Sequence, residues 1–149
     1  MTFAKQGLKE ALLKLEDLSI ARADAALRDH FQAARLNLDE TRDDQDQSQQ
    51  RQEAVLASAA ESRVHEHEAH RRIIEAMTFE PKRRVESGAI VKTEGRYLLI
   101  AVPTPSFAFH GATIVGISAD SPIARAMAGL GAGDKFHFRG RDLRIEEVH

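Results

Sequence analysis

The chain of 149 residues has no cysteine, no tryptophan, one tyrosine and only four prolines. Without thiols there is no disulfide framework, no thiolate metal ligand and no cysteine nucleophile. The opening stretch MTFAKQGLKEALLKLED is charged every few residues. It therefore lacks the apolar core of a signal peptide, and the roughly 18 apolar residues of a membrane span. A soluble, cytoplasmic protein without a membrane partner is the default expectation. No basic run exceeds Lys82-Arg83-Arg84 and the formal net charge is −2, which argues against direct binding of duplex DNA through many phosphate contacts. Nucleophile elbows, phosphate loops, zinc-protease motifs and dinucleotide fingerprints are missing too. The chain does not read as an enzyme by itself.

What is present divides by halves. Residues 1–80 carry 11 Lys+Arg against 16 Asp+Glu, a net of −5, whereas residues 81–149 carry 10 against 7, a net of +3. From Lys5 to Leu38 there is no proline, and Ala, Leu, Glu and Lys abound, which favours one long helix. Leu13, Ile20, Leu27 and Ala34 recur every seven residues, with Phe31 and Leu38 beside them, as in a packing seam. A second helical pattern runs from Ser48 to Met77, its expected seam being Val55, Ala59, Ser62, Glu66, Ala69, Ile73 and Ala76. The two predict an antiparallel coiled-coil hairpin over 1–78, each arm about 45 to 50 Å long. Small and polar seam residues bury little area, so modest stability is expected.

Pro81 ends the second helix, and 79–86 reads as a linker. Beyond it the period changes. GAIVKTEGRYLLIAV predicts two strands around Glu94-Gly95, ATIVGIS a further one, and KFHFRGRDLRIEEV two more around Gly140. Between them SPIARAMAGLGAGD predicts one short helix with Ser121 as N-cap and Pro122 in its first turn. The fold class is α+β: a helical hairpin followed by a small antiparallel sheet, 87–149, packed by one helix.

Five carboxylates, Asp39, Glu40, Asp43, Asp44 and Asp46, crowd into eight positions where the first helical pattern gives way to the second. Asp43, Asp44 and Asp46 suit the start of the second helix, where free N–H groups and partial positive charge favour anions by about 0.3 to 1 kcal/mol each. Asp39 and Glu40 fall at the C-terminal end of the first helix, where the macrodipole disfavours them. Arg42 is the only cation nearby. A hard, oxygen-seeking visitor such as Mg²⁺ would account for them; a solvated turn is the plain alternative.

The run SADSPIARAMAGLGAGDKFHF resembles the C-terminal domain of the bacterial Gre transcript-cleavage factors, in which a Ser-Pro-Ile-Ala-Arg helix precedes a Gly-Asp turn and a closing strand pair. Ser121, Pro122, Ile123, Ala124, Arg125, Gly133 and Asp134 match in order, and the order of hairpin then β-rich domain matches as well. The resemblance implies an FKBP-like C-terminal domain that docks at the rim of the secondary channel of bacterial RNA polymerase. Ser121, Pro122, Ile123 and Arg125 are then the partner-binding candidates. It also implies that the hairpin enters the channel. There the acidic tip, Asp39, Glu40, Asp43, Asp44 and Asp46, would act in trans at the polymerase active site. Asp39 and Glu40 would help hold a second Mg²⁺ shared with the polymerase, stimulating hydrolysis of backtracked RNA near its 3′ end; no cofactor is expected on the protein alone. The tip lacks the family's usual Gly, Asn-Ala and Tyr and carries Asp39-Glu40-Thr41, as in short, divergent Gre-like proteins.

Two other functions fit: an inhibitor using the same channel, and a coiled-coil oligomerisation module carrying a peptide-binding domain. A channel factor is expected to be monomeric with its helices paired in cis; an oligomeriser would dimerise with concentration. His65, His67 and His70 with Glu66 and Glu68 form a tempting transition-metal set. On one helix, however, His65 and His67 diverge by about 160° and only His67 and His70 share a face. A polar helix surface is the reading. Lys82, Arg83 and Arg84 read as a solvated linker, and the alternating Phe107/Phe109 and Phe136/Phe138 as core-facing strand residues rather than an isomerase pocket.

Overall fold

The computed structural model describes residues 4–38 and 44–149, with the side chains of 34–46 outside the description. Two helices open the chain, α1 (Leu8–Leu38) and α2 (Asp44–Ala76). Six strands and one short helix follow: β1 (Ile90–Thr93), β2 (Arg96–Ala101), β3 (Phe107–Phe109), β4 (Ala112–Ser118), α3 (Pro122–Met127), β5 (Lys135–Phe138) and β6 (Arg141–Val148). The α+β class expected from the sequence is the one observed. None of the described helices is long and apolar enough to cross a membrane. The chain divides into two compact units, Leu13–Arg72 and Met1–Leu12 with Ile73–His149.

In the Leu13–Arg72 unit the helices run antiparallel. Asp17 accepts from Arg71 at 2.9 Å, Glu16 meets His67 at 2.7 Å, and His30 meets Glu53 at 2.8 Å. As the first helix advances, its partners on the second recede. Ala23 and Ala60 are buried between the outer pairs. The seam on α2 is therefore Glu53, Ala57, Ala60, Val64, His67 and Arg71, alternating four and three apart, all of them buried or half-buried. The face expected from the apolar periodicity is the wrong one: Val55 is 67% exposed and Ile73, 47%, while Ala59, Ser62 and Glu66 are exposed as well. The cause is chemical. The seam is closed largely by hydrogen-bonded polar pairs, which a search for apolar repeats passes over.

The other unit is built on one six-stranded sheet in the order β3-β4-β2-β1-β6-β5. Three of its hairpins turn on two residues of positive φ, as type I′ turns require: Glu94-Gly95, His110-Gly111 and Arg139-Gly140. The expectation of an antiparallel sheet is corrected at one pair. β2 and β4 are parallel, Tyr97 opposite Ile114 and Ala101 opposite Ser118. The reason lies between them: β3 pairs with β4 from the outer edge, so the chain leaving β2 crosses over before it returns. Pro103 and Pro105, unable to donate to a ladder, lie in that crossover.

Strand alternation divides the buried residues between the two faces. Val91, Ile100, Phe136 and Ile145 pack with Ala124 and Met127 of α3, joined by Val85 and Ala89. Ile90, Leu99 and Ile114, which are register partners or one pair removed, point the other way and are completely buried. Leu8, Leu12 and Ile74 of the same unit are also fully buried. Polar anchors tie these helical ends to the sheet's entry. Lys9 donates from Nζ to the Glu75 and Met77 carbonyls at 2.7 and 3.3 Å, serving acceptors that the end of α2 leaves open. Lys5, itself buried, donates to the carbonyls of Glu80 at 3.0 Å and Gly88 at 2.7 Å.

Burial pushes the Lys5 ammonium down to about 8, with Lys82 adding repulsion and Glu86 opposing it. Between that value and the ordinary lysine range the unfolded chain binds a proton the folded one has lost, so this site's contribution to stability rises with pH there. Lys5→Met removes the titration. The stability difference, wild type minus variant, should therefore increase from pH 7.5 to pH 10 by up to roughly 3 kcal/mol, measured by guanidinium unfolding. Gly88 has φ +90, and a Cβ there would lie 2.6 Å from the Thr78 carbonyl oxygen. Gly88→Ala should cost more than the roughly 1 kcal/mol expected for Gly95→Ala, whose site has positive φ but open space.

Candidate functional site

Of the acidic cluster, Asp39, Glu40 and Asp43 lie outside the described residues. The backbone of Asp44 and Asp46 forms the first turn of α2, the place where carboxylates are favoured by the helix's free N–H groups; their side chains also lie outside the description.

The second candidate surface is α3. Ser121 sits before it in extended conformation, φ −62° and ψ 150°, and its Oγ accepts from the Ala124 N–H at 3.3 Å. Pro122 follows where no N–H is needed. Ile123 is half-buried against the core that holds Ala124 and Met127. Downstream, the Gly133 N–H donates to the Ile145 carbonyl at 2.7 Å with φ +91°, and the Asp134 carboxylate accepts from the Gly131 N–H at 2.8 Å. Ser121, Ile123, Gly133 and Asp134 are thus engaged in building the module. Pro122 is exposed, and the Arg125 side chain is 72% exposed with Asp120 at 4.0 Å. Within Ser121–Arg125 these two are the exposed residues.

Nearby charges are more dispersed. Lys82 pairs with Glu86 at 3.1 Å, while Arg83 and Arg84 are exposed. Phe109 and Phe136 are buried, as core-facing strand residues are expected to be, and Phe138 packs against the core from its edge. Tyr97 donates to Glu147 at 3.4 Å. Glu147 is held below the usual carboxylate range by its hydrogen bond from His149, by Lys92 and by Tyr97.

The histidines are arranged otherwise than the polar-surface reading anticipates. His65 is 69% exposed, within 3.7 and 3.8 Å of Glu61 and Glu68 on its own helix. His67 and His70 share the inner face, rings edge to face at 5.5 Å. Opposite them is Glu16 of α1, 2% exposed, its two oxygens 2.7 Å from His67 Nδ1 and 3.6 Å from His70 Nδ1. Glu16 was not a sequence candidate. The available signal was a charged residue four beyond Leu12 and eight beyond Leu8 on a face otherwise apolar.

No protein-family model and no curated protein matches the chain. Among solved structures it is similar to the transcription factor Gfh1, at 22% identity and a TM-score of 0.38 over 92% of each chain. A second structure, of GreA factor homolog 1 (Gfh1) protein of Thermus thermophilus, is similar at 17% identity and a TM-score of 0.34 over 95% of this chain and 94% of that one.

The two roles read at α3 separate experimentally. Ser121→Ala removes the cap and should lower stability by about 0.5 to 2 kcal/mol. Arg125→Glu alters an exposed side chain and should change stability by no more than about 0.5 kcal/mol, both by guanidinium unfolding.

Proposed function

We propose that the protein is a Gre-type accessory factor of RNA polymerase, docking at the rim of the secondary channel through its C-terminal module and acting through the hairpin's acidic tip. The observation that carries this reading is the Ser121–Arg125 helix. Its motif residues assemble a capped helix on the core while Pro122 and Arg125 face outward. An exposed arginine and a rigid proline on a short, anchored helix make a suitable contact for an acidic or backbone-rich rim, since little side-chain and backbone freedom is lost on binding.

Two carboxylates of the acidic cluster are not explained by helix energetics. In sequence Asp39 and Glu40 follow Leu38, the last residue of α1, and carboxylates after a helix's C-terminal end gain nothing from its partial negative charge. Their oxygens are suitable ligands for Mg²⁺, which is commonly bound by one or two carboxylates and completed by phosphates. In a two-metal phosphodiester site, Mg²⁺ supplies a clamp for the attacking and leaving oxygens. The chain's own share is to bring negative charge and oxygen ligands to a partner's catalytic centre. The chemistry belongs to the polymerase, and the protein is an accessory to it.

A second reading is favoured by the tip sequence: with Asp39-Glu40-Thr41 in place of the family's usual residues, the same insertion would inhibit rather than stimulate. One assay distinguishes the two. Addition of the protein to stalled, backtracked polymerase is expected to accelerate RNA cleavage; slower synthesis without cleavage selects inhibition, and no effect on either sinks both. Asp39→Asn with Glu40→Gln should abolish whichever effect is seen while leaving polymerase binding intact and changing hairpin stability by no more than about 1 kcal/mol per residue. Arg125→Glu should weaken binding instead.

A further inference from the structure

We infer that Glu16, His67 and His70 form a binding site for one divalent transition-metal ion of the Zn²⁺ class, clamping the two helices of the Leu13–Arg72 unit together. One carboxylate oxygen and one nitrogen from each ring lie within 4.8 Å of one another. Around a tetrahedral ion with bonds of about 2.0 to 2.1 Å, donors stand about 3.3 Å apart. The two Glu16 oxygens lie 2.7 Å from His67 Nδ1 and 3.6 Å from His70 Nδ1 respectively, and with all three donors within 4.8 Å small side-chain rotations bring one oxygen and both nitrogens to that spacing. Two imidazoles and a carboxylate suit Zn²⁺, Co²⁺ or Ni²⁺ and not Mg²⁺ or Ca²⁺, which prefer all-oxygen sets.

Burial supplies the second reason. The Glu16 side chain is 3% exposed, and a carboxylate taken out of water requires compensating positive charge. The hydrogen bond to His67 at 2.7 Å meets part of that need. It leaves His70 unexplained, because His70 Nδ1 is buried without a hydrogen-bond partner. A dication serves all three groups at once: it neutralises the carboxylate and takes the lone pair of the orphaned nitrogen. The His67 and His70 side chains, 25% and 14% exposed, leave an edge open for entry and for water as a fourth ligand. The Asp17–Arg71 pair closes the adjacent turn at 2.9 Å. Because Glu16 is on α1 and both histidines are on α2, a bound ion is a cross-link between helices whose seam otherwise contains little apolar area. The site is independent of the polymerase reading, and its success or failure leaves that reading where it stands.

The test is titration of the metal-free, full-length protein with Zn²⁺ by calorimetry, followed by thermal unfolding and by the visible spectrum with Co²⁺. One Zn²⁺ should bind saturably and raise Tm, an equal concentration of Mg²⁺ should not, and Co²⁺ should give the intense visible bands of a tetrahedral ion. Glu16→Gln and His70→Ala should each weaken Zn²⁺ binding at least about tenfold, since loss of a group merely hydrogen-bonded to a ligand costs about 10- to 100-fold. His65→Ala should bind as wild type. A purely structural cluster predicts that His70→Ala lowers Tm equally with and without Zn²⁺; the metal site predicts that the metal-dependent increment disappears. Should His70→Ala fail to fold by circular dichroism, His67→Gln, which keeps a donor for Glu16, decides the matter. Absence of saturable one-to-one binding, or affinity unchanged in the folded variants, overturns the proposal.

Discussion

The buried carboxylate of Glu16 constrains the helical hairpin more than any apolar contact in it. A charge in a seam is tolerated only where a partner meets it, and His67 supplies that partner at 2.7 Å. Slipping one helix by a turn would take Glu16 away from His67 and would break the His30–Glu53 and Asp17–Arg71 pairs at the same time. Apolar seams of alanine and valine are permissive about register; polar pairs are not. The hairpin thus trades cohesion for a fixed alignment of its two arms.

A comparable economy governs the C-terminal module. Its motif residues are occupied with construction first: Ser121 caps α3, Ile123 seals its underside, and Gly133 and Asp134 shape the turn that leads into β5. Within Ser121–Arg125, the exposed surface that this construction leaves is that of Pro122 and Arg125. Ser121 and Ile123 thereby hold α3 against the core.

Lys5 and Lys9 show why the first turns of α1 belong with the sheet and not with the hairpin. Both extend a cation to backbone carbonyls far along the chain, at Glu75, Met77, Glu80 and Gly88. Those acceptors lie where α2 ends and the strands have not begun. Gly88 completes the junction, since its positive φ and the nearby Thr78 carbonyl leave no room for a side chain.

The sequence by itself determined the α+β class, two long helices, two of the three β-hairpin turns and the capped helix at Ser121. Each of these is governed by local chemistry: proline-free helical composition, residues that tolerate positive φ, and a side-chain oxygen placed before a proline. It also marked Asp39 and Glu40 as carboxylates that helix energetics do not explain. Only the tertiary structure decided which face of α2 turns inward, because polar pairs rather than apolar repeats close that seam and a pair is invisible until both members are in place. It decided the parallel β2–β4 pairing for the same reason, through a crossover that strand patterns do not encode. And it brought Glu16 to His67 and His70 across fifty or more intervening residues, a juxtaposition that no spacing rule along one helix could reveal.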